Sequence, residues 1–204
     1  MEIKAVVLGI LGVNCYCIQG ETGAVVIDPG YKSQVVEDFL KNNADKERLI
    51  ILTHNHFDHI GFADELSKNT DTKIAIGEYE KAGLENPQIN LSLNFAKKMT
   101  APEAQILLKD NEKLRVGDLQ FTVWHTPGHT VGGICLLADN CVFSGDTLFF
   151  ESVGRTDFPG GSVIELENSV LRLYGLDDST KVYPGHGPET TIHHEKISNP
   201  YVRI

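Results

Sequence analysis

The alternation of apolar and polar residues along the chain predicts strands and helices in two successive halves. The first half is expected to contain strands at 3–8, 16–19, 24–27, 49–52 and 73–76, with helices at 34–42 and 60–67. The second half is expected to contain strands at 104–108, 119–125, 133–138 and 141–144, and a last strand at 181–183. Ser162 and Glu165 form a capping-box signal for a helix over 163–174. Residues 84–104 contain prolines and show little periodicity, which predicts a loop.

Four side chains with metal-binding atoms lie within six positions, directly after the apolar run at 49–52. They belong to the segment His-Asn-His-Phe-Asp-His, residues 54–59. Imidazole and carboxylate together suit zinc, iron, manganese or nickel, and the absence of cysteine from the segment argues against a closed thiolate zinc site. The segment therefore predicts a catalytic metal centre.

The spacing within this segment favours two metal ions. In an extended or turning segment His54 and His56 point to the same side, so both can reach one ion. If the chain turns into a helix at Asp58, then Asp58 and His59 are directed to a neighbouring ion. One ion does not readily accept all four groups, because catalytic sites usually take about three protein ligands and keep a position for water.

Three further candidate ligands each follow a short apolar run and are flanked by glycine. His129 lies in TPGHT, Asp146 in SGDT and His186 in YPGHG. This arrangement is expected when a sheet carries its site at the strand ends, where glycine permits tight turns and close backbone approach. We therefore expect these loops to lie beside the histidine segment.

Five motifs in order, IDPG, THNHFDHIG, PGHT, SGDT and PGHG, resemble the successive motifs of the metallo-beta-lactamase superfamily. Within it the chain is most similar to the glyoxalase II-like hydrolases, in particular the short single-domain bacterial members. This closer resemblance depends on GRTDFPGG at 154–161 and on NPY near residue 200. It implies an α/β fold with four layers, an αββα sandwich, formed by a single domain over residues 1–204.

The resemblance also implies seven metal ligands, namely His54, His56, Asp58, His59, His129, Asp146 and His186. His54, His56 and His129 would hold the first ion. Asp58, His59 and His186 would hold the second. Asp146 would bridge the two ions. Asp28 would orient the segment from behind, as partners of metal-bound imidazoles usually do. Asp58 would also orient the attacking hydroxide, which makes it the candidate catalytic side chain.

Two adjacent divalent ions indicate a hydrolytic mechanism, and zinc is the metal expected here. They lower the pKa of a shared water and polarise a carbonyl group. A thioester suits this chemistry because its carbonyl is electrophilic and a thiolate leaves readily. The resemblance implies S-lactoylglutathione or a related hydroxyacyl-thiol as the small-molecule substrate. Full-length glyoxalase II proteins grip glutathione with a helical C-terminal region, whereas only residues 187–204 follow His186 here, so the thiol carrier stays open.

Other functions remain open beside this one. A persulfide dioxygenase of the same superfamily carries a GRTDF-like segment but uses a single iron, and a lactonase or beta-lactamase would share the fold. A non-catalytic metal-binding module is the third alternative. The GHG context of His186 and the complete ligand set favour a hydrolase. Arg155 and Asp157 are ambiguous, because they form either a structural ion pair or a site for an anionic substrate group.

Composition limits the kinds of partner that we expect for this protein. The net charge is −10 and the 18 basic residues are scattered, so we expect no nucleic-acid partner. No stretch approaches the roughly 20 apolar residues of a membrane span. The N-terminal residues lack the pattern of a secretory signal, so we expect a cytoplasmic protein with no membrane partner. The oligomeric state is left open.

The remaining polar side chains are expected to have structural roles or to face solvent. The four cysteines are expected to be buried reduced thiols. We expect His125, His193 and His194 to be surface or hydrogen-bonded residues. Arg115 and Arg172 are expected on the solvated surface, and Tyr183 is expected to pack within the protein.

Overall fold

Strands from the first half of the chain form one six-stranded sheet. The computed structural model describes residues 1–95 and 102–203. The strands are β1 Glu2–Leu8, β2 Val13–Gln19, β3 Gly23–Ile27, β4 Glu47–Leu52, β5 Lys73–Gly77 and β6 Ile106–Leu108, in that spatial order. The first three are antiparallel, and β3 to β6 are parallel. The apolar runs of β3 and β4 suit these central positions because both of their faces are buried.

Strands from the second half form a second six-stranded sheet. They are β7 Lys113–Val116, β8 Leu119–His125, β9 Ile134–Ala138, β10 Cys141–Gly145, β13 Lys181–Pro184 and β14 Thr190–Thr191. Their spatial order is β14-β13-β10-β9-β8-β7, and only the β10–β13 pair is parallel. A small separate hairpin pairs β11 Leu148–Phe149 with β12 Ser152–Val153. Asp139, at φ +47°, adopts the left-handed conformation that the tight turn between β9 and β10 requires.

Helices cover the outer face of each sheet. The helices are α1 Gln34–Asn42, α2 Phe57–Ile60, α3 Ala63–Thr70, α4 Lys81–Leu84, α5 Ser92–Phe95, α6 Val163–Tyr174 and α7 Ile192–Ser198. Leu40 of α1 and Leu66 of α3 pack on the first sheet, and Leu173 of α6 packs on the second. A third cluster, with Ile51 and Phe143 at its centre, fills the space between the sheets. The predicted αββα sandwich is therefore confirmed.

One predicted helix is wrong in its bounds. The helix expected over 60–67 is two helices, α2 and α3, interrupted at Gly61 and Phe62. Phe62 donates its backbone N–H to the carbonyl of Pro29 at 3.0 Å instead of to a helical carbonyl. A Cβ on Gly61 would lie 2.5 Å from the carbonyl oxygen of Gly30. The close approach of the IDPG loop therefore ends the first helix.

Other expectations about elements also need correction. The strand at 181–183 is not the last one, because β14 pairs with it and α7 follows. The range 84–104, expected to be a loop, contains α5, and its residues 96–101 lie outside the described part of the chain. The four cysteines are buried and free, as expected. No helix among the described residues has the length and apolar composition needed to cross a membrane.

Candidate metal centre

The candidate ligands converge because the strands that carry them end at the same edge of the sandwich. The histidine segment follows β4, and His129 lies in the loop after β8. Asp146 follows β10, and His186 follows β13, the strand parallel to β10. Loops at shared strand ends are held by the rigid sheets behind them, which suits a site that requires fixed geometry.

The first histidine cluster joins the two halves of the chain. Ligand atoms of His54, His56 and His129 all lie within 4.8 Å of one another, and the three residues are buried. The Nδ1 atom of His56 lies 2.9 Å from the Nε2 atom of His129.

The second cluster contains Asp58, His59 and His186, again within 4.8 Å. The Nε2 atoms of His59 and His186 are 3.2 Å apart. The Nε2 atom of His186 lies 3.3 Å from Oδ2 of Asp58. Helix α2 begins at Phe57, and the turn into the helix brings Asp58 and His59 to His186. His59 still lies beside the first cluster, because its ring centroid is 4.1 Å from that of His54.

Asp146 lies between the two clusters. Its Oδ1 atom is 3.4 Å from Nε2 of His59, and its Oδ2 atom is 3.4 Å from Nε2 of His129. The loop that carries His186 approaches closely, since a Cβ on Gly185 would lie 2.2 Å from Oδ1 of Asp146. The glycine of PGHG at this position is therefore required by space.

Hydrogen bonds behind the histidines fix which ring nitrogen faces the site. The Nδ1 atom of His59 contacts Oδ2 of Asp28 at 2.9 Å, that of His129 the carbonyl of Arg155 at 2.7 Å, and that of His186 the carbonyl of Leu11 at 3.1 Å. All three partners only accept hydrogen bonds, so Nδ1 carries the hydrogen. The opposite nitrogen, Nε2, then presents a lone pair to the site.

Thr53 fixes the ring of His54 in the same way. The Thr53 hydroxyl donates to Oδ2 of Asp28 at 2.7 Å, and it lies 3.1 Å from Nδ1 of His54. Asp28 also accepts the backbone N–H of Thr53 at 2.8 Å. Asp28, His54 and His59 form a third geometrically possible ligand group. We interpret it as a supporting network, because its contact with His59 is a hydrogen bond to Nδ1.

This arrangement fits metal ions. His54 Nε2, His56 Nε2 and Asp146 Oδ1 are buried and have no hydrogen-bond partner. The Nε2 atoms of His59 and His186 are only 3.2 Å apart, a spacing that requires a cation, either a proton or a metal ion, between them. Ligands about 2.0–2.1 Å from a tetrahedral ion are themselves about 3.3 Å apart, close to the spacings seen here. Nitrogen and carboxylate oxygen without thiolate suit zinc, iron or manganese.

The pKa shifts divide the site into a neutral side and a side that favours positive charge. Burial, followed by the neighbouring imidazoles, holds the pKa of His54 well below its usual value and lowers the pKa of His56 to about 2. Burial also opposes charge on His59, but Asp146, Asp58 and Asp28 outweigh it and raise the pKa to about 10. The neutral imidazoles are ready to act as ligands, and the carboxylates attract a cation.

Glu80 is a functional candidate that the sequence did not reveal. Its carboxylate is buried, and it accepts the backbone N–H of Asn55 at 2.7 Å and that of Gly132 at 2.6 Å. Asn55 lies between His54 and His56, and Gly132 lies three residues after His129. Glu80 therefore ties together the two loops that supply the first cluster. A lone glutamate after a short strand carries no sequence signal for this role, because its partners are backbone groups.

Arg155 and Asp157 form an ion pair, with Nε–Oδ1 2.9 Å and Nη2–Oδ2 2.7 Å. The guanidinium also stacks on Phe158, 4.3 Å from the ring centroid. Both charged side chains are about two-thirds exposed, at 65% and 64%. The ion pair between Arg155 and Asp157 is therefore present. Arg155 also lines the cavity above the candidate ligands, so contact with a substrate stays possible.

Most of the remaining polar residues lie as expected. His125, His193 and His194 contact Val131, Asp178 and Glu151 respectively. Tyr183 packs against the rings of Tyr16 and Phe143.

The expectation for Arg172 is wrong. Its guanidinium pairs with Asp110 at 2.9 Å, donates to the carbonyl of His125 and lies 4.5 Å from the Trp124 ring. Arg172 thus fastens α6 to the second sheet instead of lying free in solvent.

A four-layer sandwich with a histidine and aspartate cluster at shared strand ends defines a metallo-hydrolase fold. A sequence model of the metallo-beta-lactamase superfamily matches residues 8–186, and the chain belongs to that superfamily. A probable metallo-hydrolase of Streptococcus pyogenes is 34% identical, over 98% of this chain and 90% of that protein. The hydroxyacylglutathione hydrolase GloC of Haemophilus influenzae is 31% identical, over 99% and 98%.

Solved structures agree with this family. The BLEG-1 B3 metallo-beta-lactamase has a TM-score of 0.91 and 35% identity, covering 98% of this chain and 99% of that one. The protein TTHA1623 in a di-iron-bound form has a TM-score of 0.86 and 32% identity, covering 98% and 100%. ETHE1 from Myxococcus xanthus has a TM-score of 0.77 and 32% identity, covering 98% and 84%.

Proposed function

We propose that this protein is a binuclear metal-dependent hydrolase of thioesters, acting on S-lactoylglutathione or a related hydroxyacyl-thiol. The observation that carries the proposal is the position of Asp146, whose two oxygens each lie 3.4 Å from an imidazole of a different cluster. In this proposal the first cluster and the second cluster would each hold one ion, and Asp146 would contribute a ligand to both. Similarity to a hydroxyacylglutathione hydrolase supports the substrate class.

The chain's own residues have defined tasks in this reaction. When bound, two divalent ions supply hydroxide near neutral pH and polarise the substrate carbonyl. Asp58 borders the cavity and stays a carboxylate, because His59 and His186 outweigh the effect of burial and hold its pKa below its usual range. It can therefore accept a hydrogen bond from the attacking hydroxide and orient it. His54 and His129 are held in place through Thr53 and the carbonyl of Arg155.

The deciding experiment measures metal content and thiol release on the same sample. We expect two ions per chain and release of thiol from S-lactoylglutathione or from another acyl-thiol. Failure to release thiol from any of them would exclude a thioesterase. A single iron per chain, together with oxygen uptake on a thiol-bound persulfide, would instead identify the dioxygenase alternative.

Hydrolysis of beta-lactams is the second candidate. It is favoured by similarity to the BLEG-1 B3 metallo-beta-lactamase over nearly the whole of both chains. The same hydroxide would attack the lactam carbonyl, so the site chemistry does not separate the two substrates. An assay of a chromogenic cephalosporin beside the thioester, at equal metal content, distinguishes the two activities. The larger kcat/KM identifies the preferred reaction.

The proposed compartment is the cytoplasm. Cys15, Cys17, Cys135 and Cys141 are all free. Burial raises the pKa of Cys135 to about 11 and is the main cause of the same shift at Cys141. Inert reduced thiols are the usual state in a reducing compartment, which supports this part of the proposal.

A further inference from the structure

The cavity above the candidate ligands has mostly apolar walls. It has a volume of about 320 Å³. Five apolar side chains from separate segments line it, namely Leu11, Phe57, Leu91, Phe149 and Phe158. Two of them lie against the ligands themselves, since Phe158 is 5.8 Å from the ring of His56 and Phe149 is 6.0 Å from the ring of His186. A substrate group beside the reacting carbonyl therefore meets hydrocarbon on several sides.

Positive charge on these walls is already neutralised. Among the described residues that line the cavity, Arg155 is the only lysine or arginine. Its guanidinium is held by both oxygens of Asp157 and stacks on Phe158. An anionic substrate group would therefore compete with Asp157 for this charge and find the Nε and Nη2 donors already engaged. The net charge of −10 also gives no long-range attraction for anions.

The apolar surface continues outward from the cavity. Ile10, next to Leu11, is 96% exposed, and Leu11 itself is 47% exposed. Leu93, two residues after Leu91, is 63% exposed. Large apolar side chains gathered around the opening of a site usually mark a surface that binds an apolar partner or ligand.

We propose that the preferred substrate is an uncharged acyl-thiol with an apolar arm, and not an anionic glutathione conjugate. This inference rests on the proposed thioester hydrolysis and selects a substrate class within it. The apolar arm lies along Leu11, Phe149 and Phe158, while the reacting carbonyl faces the ligand clusters. The carboxylates of a glutathione conjugate find no unpaired cation on the described walls.

The test compares thioesters that share one neutral carrier. Acetyl, butanoyl and hexanoyl esters of N-acetylcysteamine are assayed beside S-lactoylglutathione. We expect kcat/KM to rise with acyl length by about fourfold for each methylene that becomes buried, with hexanoyl at least tenfold above S-lactoylglutathione. Unreactive thioether analogues of the hexanoyl ester and of S-lactoylglutathione, titrated by calorimetry, should show the same order of affinity.

Substitution of Leu11 sharpens the comparison, because its side chain borders the opening while only its backbone supports His186. Leu11→Lys should lower kcat/KM for the hexanoyl ester about tenfold and raise it for S-lactoylglutathione several-fold, the gain disappearing at high salt. Ile197→Lys is the matched control. Ile197 is 70% exposed on α7, and no residue of that helix lines the cavity, so activity on neither substrate should change.

The outcomes separate this inference from the proposed function. Thiol release that is independent of acyl length, or a kcat/KM for S-lactoylglutathione equal to or above that of the hexanoyl ester, overturns the apolar substrate class while thioester hydrolysis stands. Release of thiol from none of the four compounds overturns both.

Discussion

The two oxygens of Asp146 face different histidine clusters, so in the proposed function this single carboxylate would connect the two ions. Its contacts with His59 and His129 are both 3.4 Å, the spacing of two ligands around a shared ion. Asp146 contacts no lysine or arginine among the described residues, so no such ion pair accounts for a carboxylate whose side chain is only 10% exposed. A bridging role therefore explains both its geometry and its position.

Replacement of Asp146 tests that role. Asp146→Ala removes both oxygens, and we expect metal content to fall from two ions towards one and kcat to fall about a thousandfold, equivalent to roughly 4 kcal/mol. Elemental analysis and thiol release measure the two effects. Asp139→Asn, in an exposed turn, is the matched control and should change neither. Full activity and full metal content in Asp146→Ala would refute the bridge.

Glu80 acts on the same site through backbone groups. Glu80→Gln keeps the shape of the side chain but turns one acceptor into a donor that faces an N–H of Asn55 or Gly132. We expect about 1–2 kcal/mol less stability and a tenfold or greater loss of affinity for the first ion. Competition with a chelator measures that affinity, and urea unfolding measures stability.

Glu80 ends a short 3-10 helix, Glu78–Glu80, and the control for it is the first residue of that helix. Glu78→Gln changes the same chemical group at a half-buried position, and it should leave metal binding and stability as they are. Equal effects of the two substitutions would assign Glu80 a general structural role. Loss of both ions in Glu80→Gln, instead of the first alone, would also contradict the specific role.

At the residue scale, the sequence predicted side chains that act by their own chemistry. The seven candidate ligands were identified from residue type, glycine context and spacing, and the structure brings all seven together. Glu80 and Thr53 were missed because each acts on a neighbour through a hydrogen bond that only tertiary contact creates. Arg172 was misassigned for the same reason, since its partners lie in distant parts of the chain.

Between elements, Asp118 connects the two sheets at the end opposite the candidate ligands. It lies in the turn between β7 and β8, and its carboxylate accepts backbone N–H groups of Glu21, Thr22 and Gly23 from the turn between β2 and β3. The first two of these bonds are the main cause of a lowered pKa at Asp118. A turn of one sheet is thus capped by a side chain of the other.

This lowered pKa predicts a pH-dependent contribution to stability. A carboxylate whose folded pKa lies below the unfolded value of about 3.9 stabilises the protein above that value, and the contribution is lost as pH falls through the folded pKa. Asp118→Asn should therefore lower Tm at pH 7, and the difference from wild type should shrink towards pH 2. Asp71→Asn, at an exposed left-handed helix cap, should show neither effect. A constant difference across pH would contradict the assignment.

Elements with their own local signals were predicted well, and elements defined by neighbours were not. The helices at 34–42 and 163–174 have the predicted bounds because serine caps begin both of them. The predicted helix at 60–67 was wrong because the IDPG loop interrupts it at Gly61. Helix α7 was missed because its sequence, IHHEKIS, has too few apolar residues to show a helical period.

At the scale of the whole molecule, strand β2 of the first sheet holds the loop that carries His186. The buried amide of Asn14 donates to the carbonyls of Pro184 and Gly187 at 2.9 and 2.8 Å. The Tyr16 hydroxyl donates to the same carbonyl of Pro184 at 2.6 Å. The position of His186, a candidate ligand of the proposed second ion, therefore depends on docking of the two sheets.

The stacking of two sheets did not follow from periodicity, which describes single elements and not how they pack. Only the resemblance in motif order supplied it. Physically, the apolar cluster between the sheets stabilises the stacking, and the cross-sheet contacts of Asn14 and Tyr16 add to it. Neither residue has a sequence signal, since the carbonyls they bind are about 170 residues away. If the second cluster binds an ion as proposed, these contacts would link folding of the sandwich to that binding.

That link predicts a graded pair of variants. Asn14→Asp replaces the donating amide by a buried carboxylate that faces two carbonyl oxygens, and we expect a loss of about 3 kcal/mol in the free energy of unfolding and release of the second ion first. Tyr16→Phe removes one donor, and the Pro184 carbonyl keeps its bond from Asn14, so the loss should be about 1 kcal/mol with both ions retained. Urea unfolding and metal analysis at matched pH measure both quantities. If Asn14→Asp kept two tightly bound ions while it lost stability, docking of the sheets and binding of the second ion would be independent, because the loop of His186 would then hold its geometry without the support of β2.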